Sequence, residues 1–316
     1  MSTQLIFKRL NLLFFLFGFV SLLNSALASS LNDPRYNTEL FSDIIVDTDI
    51  VFGESKTQGG EKQTLLMDVY YPKGDTVKNR PLIIFAHGGY FLFGDKVGFK
   101  EEGEFFAKSG YVVASINYRL IDVEETEMVS KRAVIDAIND LKAAVRFFNE
   151  DNQNGNKYSI DPDQIFIGGY SAGAVTSLHY AYANTPEDVL QMGGTDLLTY
   201  VVDNGGLEGR SGHKGYSSKI KGVINIAGSL HNAGLVDADE PILFSIHGTN
   251  DDIVPYLSGT TGDTDVVTEG SGLIHAYADK IGLVNQLIKV EGADHFARFS
   301  CATCLEDLRQ FIFDNL

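Results

Sequence analysis

The sequence has no internal repeat, no low-complexity tract and no linker that would divide it, so neither a repeat array nor a tethered pair of domains is expected. Positive charge is scarce: 25 Lys and Arg against 42 Asp and Glu leave a formal net charge of −17. Phosphate backbones repel such a chain, which argues against nucleic-acid binding, and acidic substrates are steered away too. Cysteine is rarer still. Cys301 and Cys304 are the only two, spaced C-x-x-C. No second ligand pair completes a metal site, and no thioredoxin-like pattern surrounds them, so a redox motif has no support. On a helical turn they would be close enough for a local disulfide, which closes a loop too small to restrain the unfolded chain much.

An apolar run long enough to span a bilayer is also missing. The longest, Leu10 to Leu23, falls short of the ~20 residues a spanning helix needs, and Asn11 and Ser21 interrupt it. It follows Lys8 and Arg9 and precedes Ala26-Leu27-Ala28, the order of a charged region, an apolar region and a cleavage site. Residues 1–28 are therefore expected to be a signal peptide, with cleavage after Ala28, a secreted or periplasmic product and no remaining membrane anchor. The segment carries two basic and no acidic residues, so its removal from the 316-residue chain leaves 288 residues at a formal charge of −19, a length suited to one α/β domain.

Along that domain, Ile44–Phe52 and Leu65–Tyr71 read as a strand pair. Short, nearly continuous apolar runs follow at Leu82–Ala86, Tyr111–Ile116, Ile165–Gly168, Gly222–Ala227, Ile242–Ile246 and Leu287–Val290, a pattern that suits strands buried on both faces of a parallel sheet. Helices are expected between them at Phe99–Lys108, Val129–Glu150, Ala172–Ala183, Leu273–Ile281 and Leu305–Phe313; in the second, Val134, Ile138, Leu141, Val145 and Phe148 mark one buried face. This alternation predicts an α/β fold. Residues 184–219 and 258–272, rich in Gly, Thr, Ser and Asp, break it and read as cap-like insertions over the sheet that wall a pocket. In the second, Asp263 and Asp265 offer oxygen ligands, but such clusters are mostly solvated and no metal site is expected.

The sharpest chemical signal is Gly169-Tyr170-Ser171-Ala172-Gly173, between a predicted strand and a predicted helix. A strand running straight into a helix forces the turn residue into a strained conformation, and glycines two residues to each side remove side chains that would collide. A serine hydroxyl is a weak nucleophile and needs a base, which in turn needs an acid to fix its tautomer. Two later strands end in loops that offer them: His247-Gly248-Thr249-Asn250-Asp251-Asp252 and Glu291-Gly292-Ala293-Asp294-His295. Asp251 is expected as the acid, with Asp252 in support, and His295 as the base; His87, His179 and His247 are read as structural. Backbone amides of Gly89 and Tyr90, in His87-Gly88-Gly89-Tyr90, with that of Ala172, are the expected oxyanion hole.

Through PLIIFAHGGYFLFGD, GYVVASINYRL, DPDQIFIGGYSAGA, HGTNDDIVPY and EGADHF, the chain resembles the HGG-bearing esterases and lipases of the α/β-hydrolase superfamily, including the hormone-sensitive-lipase-like and type-B carboxylesterase groups. The resemblance implies an eight-stranded, mostly parallel sheet and cofactor-free hydrolysis of small-molecule or polysaccharide-linked esters through an acyl-enzyme on Ser171. Tyr90 stands where many relatives have a third glycine. Two other readings are kept for comparison: a peptidase of the prolyl-oligopeptidase type, and a non-catalytic binding protein on the same fold.

Overall fold

The computed structural model describes residues 34–262 and 266–316; the expected signal peptide and the Asp263/Asp265 pair lie outside them. The strands in chain order are β1 (Ile44–Lys56), β2 (Lys62–Pro72), β3 (Arg80–Ala86), β4 (Val112–Ile116), β5 (Ile160–Tyr170), β6 (Gly222–Ile226), β7 (Ser229–Leu230), β8 (Ile242–Gly248), β9 (Ser258–Thr260), β10 (Val267–Gly270) and β11 (Asn285–Val290). Eight of them form one sheet in the order β1-β2-β4-β3-β5-β6-β8-β11, and β7-β10-β9 form a small second sheet. β1 pairs antiparallel with β2, and β2 with β4; every other neighbour in the large sheet is parallel.

The continuous apolar runs of β3, β4, β5, β6 and β8 have the double burial they predict, whereas Leu287–Val290 forms the edge strand β11 and is only partly buried, because an edge strand has no neighbour on its outer side. In β3, Leu82, Ile84 and Ala86 enter one core while Ile83 and Phe85 enter the other. Helices cover both faces. On one side pack α1 (Lys100–Lys108), through Phe106 and Ala107, and the terminal α7 (Cys304–Asp314), through Leu308, Phe311 and Ile312. On the other lie α2 (Glu127–Asn154), α3 (Ala172–Tyr182), α4 (Pro186–Asp203) and α5 (Ser271–Ile281). A one-turn α6 (Ala297–Ser300) precedes α7, and Cys301 and Cys304 are joined by a disulfide across the junction. Among the described residues, no helix is long and apolar enough to cross a membrane.

The structure adds detail to two expectations. The 184–219 insertion contains a helix, α4, opened by a capping box in which Thr185 and Asp188 satisfy each other's backbone amides, with Pro186 in the first turn. Gly193 and Gly194 leave helical geometry and kink it. The helix α2 is buried on more than the one predicted face. Residues 204–218 lie over its polar side, where Arg146 bonds Gly212 O and Glu208 O, and Lys142 bonds Leu207 O. Arg119, entering from beyond β4, bonds Asp136 and Asp140 of the same helix at 3.0 and 2.8 Å. Polar residues can face inward there because every charge finds a partner.

Candidate active site

Ser171 stands at the junction of β5 and α3 with φ 55° and ψ −118°, a region that side chains rarely occupy and that costs about 1–3 kcal/mol. The close approach behind it explains the flanking glycines. A Cβ at Gly169 would lie 2.4 Å from Ala86 O, and one at Gly173 2.0 Å from the same atom. Ser171 N donates to Ile226 O at 2.9 Å, tying the turn to β6. Ala172 begins α3, so its amide is among the four that a helix start leaves without intrahelical partners, and the positive end of the helix points to the same place.

The HGG loop packs directly on this turn: a Cβ at Gly88 would lie 3.2 Å from Ser171 Cβ. Gly89 has φ 121° and its carbonyl closes a tight turn with Leu92 N and Phe93 N. Tyr90 and Phe91 continue with φ 57° and 63°. That left-handed backbone is what a third glycine would adopt without strain, so Tyr90 keeps the loop path at an energetic cost. His87 props the loop rather than facing the site. Its Nδ1 donates to Gly88 O at 2.7 Å, its ring stacks on Tyr118 at 4.3 Å, and burial lowers its pKa.

The loops after β8 and β11 bring Asp251 and His295 together, with His295 Nδ1 2.7 Å from Asp251 Oδ2. Both side chains are buried, at 0% and 4% exposure. Asp251 Oδ1 accepts from Ile253 N and Val254 N at 3.0 and 2.8 Å. Burial alone would raise the pKa of this carboxyl, but hydrogen bonds from His247 and His295 outweigh it and hold the group well below the usual carboxylate range. The two loops also bind each other, through Asn250 N to Ala293 O at 2.9 Å and Gly292 N to Thr249 Oγ1 at 2.8 Å.

Tyr170 supports His295. Its hydroxyl donates to His295 O at 3.2 Å and its ring lies 5.0 Å from the imidazole. Arg298 stacks on Tyr170 and Phe99 and bonds Glu102 of α1 at 3.1 Å, pinning the segment after His295.

Ser171 and Ala172 open onto a cavity of about 130 Å³ walled by Phe91, Val134, Val175, Met192 and Val254, with His179 and His231 among its polar lining. Met192 comes from the first insertion, and Thr261 and Thr268 come from the second. Of the aromatic residues beside the HGG motif and Ser171, Phe91 lines the cavity, Phe93 is 61% exposed, and Tyr170 turns to His295. Sequence reasoning misses Met192, whose signal is the Thr185–Asp188 capping box, Val175 on the helix after Ser171, and Val134, which the helical periodicity assigns to a buried face. Among the described residues, no group of three His, Cys, Asp or Glu side chains is placed to hold a metal ion.

Strand order, a serine at the sharp turn after β5, and loops after β8 and β11 that join Asp251 to His295 define an α/β-hydrolase fold. The chain belongs to the BD-FAE family, which matches residues 67–231, just over half of it. It is 30% identical over 115 residues to a probable isoprenylcysteine alpha-carbonyl methylesterase of Oryza sativa subsp. japonica, covering 36% of this chain and 25% of that protein. It is 25% identical over 165 residues to Esterase-5B of Drosophila persimilis, covering 49% and 28%. The matched part is thus about a quarter to a third of the length of these curated relatives. In structure it is similar to esterase 2 of Thermogutta terrifontis, with a TM-score of 0.61 at 20% identity, covering 85% of this chain and 94% of that one. A truncated carbohydrate esterase from gut microbiota gives a TM-score of 0.57 at 19% identity, covering 87% and 97%.

Proposed function

We propose that the protein is a serine esterase that hydrolyses carboxylic esters through an acyl-enzyme on Ser171. The observation that carries the reading is the Asp251–His295 hydrogen bond at 2.7 Å in loops beside the strained turn that presents Ser171. His295 uses Nδ1 to bond Asp251, which leaves Nε2 as the nitrogen that takes the Ser171 proton. Ser171 Oγ attacks the ester carbonyl, the amides of Gly89, Tyr90 and Ala172 hold the oxyanion, and His295 returns the proton to the leaving alcohol. Water then repeats the cycle on the acyl-enzyme, while Asp251 stays ionised throughout.

The cavity supports a short acyl group. At about 130 Å³ it holds several times the ~10–15 Å³ that one water requires, and most of its named wall is apolar. Thermogutta terrifontis esterase 2, solved with propionate and with butyrate bound, points the same way. Among superfamily groups, the HGG motif and the likeness to Esterase-5B support the small HGG-bearing carboxylesterases, hormone-sensitive-lipase-like or type-B-like. The likeness to a carbohydrate esterase supports an ester carried on polysaccharide as a natural substrate. The charged, apolar and Ala26-Leu27-Ala28 order of residues 1–28, read as a signal peptide, and the Cys301–Cys304 disulfide support an exported, secreted or periplasmic protein.

The test is hydrolysis of nitrophenyl esters from acetate to palmitate, with methyl ferulate and an aminoacyl amide alongside, by the wild type and Ser171→Ala. The expected result is an optimum at short acyl chains that vanishes in the variant. Faster turnover of the amide than of every ester would favour a peptidase, and failure to label with a fluorophosphonate would favour a binding protein.

A further inference from the structure

The Asp251 carboxylate has one more partner than an orienting acid requires. Its Oδ2, besides meeting His295, lies 3.1 Å from His247 Nε2. That same nitrogen lies 3.1 Å from Val254 O. A carboxylate and a carbonyl only accept, so Nε2 must carry a proton. In a neutral imidazole Nδ1 then accepts, and the Ser271 hydroxyl, 2.7 Å away, is its donor.

The chain of contacts continues and admits one consistent set of protons. Asn225 Nδ2 lies 2.9 Å from both Ser271 Oγ and Ser245 Oγ, using its two N–H groups, while its Oδ1 accepts Gly228 N–H at 2.9 Å. Ser245 Oγ lies 2.7 Å from His275 Nε2. His275 Nδ1 meets the carbonyl oxygen of Asn285, whose amide nitrogen donates to Asp279 and to Leu283 O at 2.8 and 3.0 Å. So His275 donates to Asn285, Ser245 to His275, Asn225 to both serines, Ser271 to His247, and His247 to Asp251. Each donor is used and each acceptor filled.

Burial locks this arrangement. Asn225, Ser245, His247 and Ser271 are 0% exposed and His275 is 4% exposed. The members come from β6, β8 and the first turns of α5, which packs against β8 and β11. Burial also pushes the His275 pKa down to about 4, so that ring stays neutral and keeps its tautomer near neutral pH.

We infer that His247 is a positioning residue for Asp251, held in its Nε2–H tautomer by a relay of neutral donors that starts at Asn225, whose amide is itself oriented by Gly228 N–H. The inference rests on Asp251 being the acid that orients His295. Two donors reach Oδ2 and two backbone amides reach Oδ1, so the carboxylate plane cannot turn and Oδ2 stays aimed at the base. A network that merely satisfied buried polar groups would matter to folding and not to turnover.

The test compares His247→Gln, His247→Leu and Ser271→Ala in the full chain, with kcat and KM on nitrophenyl butyrate and active sites counted with a fluorophosphonate. The glutamine amide nitrogen sits as many bonds from Cβ as Nε2 does, so it keeps the donor; leucine removes it. Losing a hydrogen bond to a charged group corresponds to a fall in kcat of about ten- to a hundredfold for His247→Leu, with KM within about twofold. His247→Gln should recover most of the loss. Ser271→Ala, which frees the tautomer without touching the ring, should fall between them, and it carries the test if His247→Leu does not fold. Unchanged kcat per labelled site in Ser271→Ala, or no advantage of His247→Gln over a folded His247→Leu, would overturn the inference. Wild-type-like turnover in Ser171→Ala would instead remove the triad reading beneath it, whatever the His247 variants do.

Discussion

At the scale of single residues, strain and close approach decide what can stand at the proposed site. Ser171 keeps a positive φ because the chain on either side has no side chain to collide with β3. Gly173→Ala would place a Cβ 2.0 Å from Ala86 O and 2.6 Å from Ala86 C, both backbone atoms that cannot swing aside. The expected outcome is a loss of esterase activity of roughly a hundredfold or more, from an ångström-scale shift of the nucleophile. Gly98→Ala is the control, since its nearest neighbour would be His87 Cβ at 3.9 Å. Ester hydrolysis and circular dichroism of the two purified variants check this; equal activities would show that the turn is not the constraint. Tyr90 makes the opposite argument. Its φ of 57° suits glycine, so Tyr90→Gly should relieve strain in the HGG loop while enlarging the mouth of the cavity. Branched esters should gain in kcat/KM relative to straight ones, a ratio measurable in one plate assay.

At the scale of elements, legibility in the sequence followed length and continuity. Buried strands announce themselves as apolar runs, and β3, β5 and β8 sit where those runs predict. The Gly-x-Ser-x-Gly turn and the loops carrying Asp251 and His295 were readable because each follows such a strand. The helix α4 was not, because Gly193 and Gly194 interrupt its periodicity and only its start carries a local signal. Strands of two to four residues, such as β7, β9 and β10, are too short for any pattern. The contact between His247 and Asp251 was hidden for another reason. A spacing of four residues suggests facing side chains on a helix, and nothing in sequence says that a strand end turning into a loop can bring them together. Because α4 carries Met192 into the cavity wall, its cap has a measurable effect. Thr185→Ala removes the capping-box hydroxyl and should destabilise by about 1 kcal/mol, lowering the melting temperature by roughly 2–4 °C. Calorimetry of the variant decides it.

At the scale of the whole molecule, buried titratable groups set the response to acid. Burial pushes His179 and His275 each down to about 4, whereas both titrate near 6.5 in an unfolded chain. As pH falls, the unfolded chain takes up these protons first, so the stability from keeping both rings neutral is full above about 6.5 and lost by about pH 4. Asp136 opposes this: burial raises it to about 6 despite Arg119, so its contribution is full below about 4 and lost as pH rises through 6. Glu240, raised to about 7, and Glu102 act in the same sense as Asp136, while burial also lowers His87 and His231. With four histidines against three carboxyls, the urea midpoint should fall from pH 7 to pH 4, and a midpoint that rose on acidification would put the carboxyls in control.

The strand order also imposes a timetable. Ser171 follows β5, near the middle of the sheet, but Asp251 and His295 follow β8 and β11, which complete one edge. A ribosome delivers the chain from its N-terminus, so the serine, its helix and the HGG loop can assemble while the acid and base have yet to be made. On the proposed triad, hydrolytic power is therefore the last property the nascent molecule acquires, and a synthesis that stalls before β11 releases a seven-stranded sheet whose serine has no base to activate it.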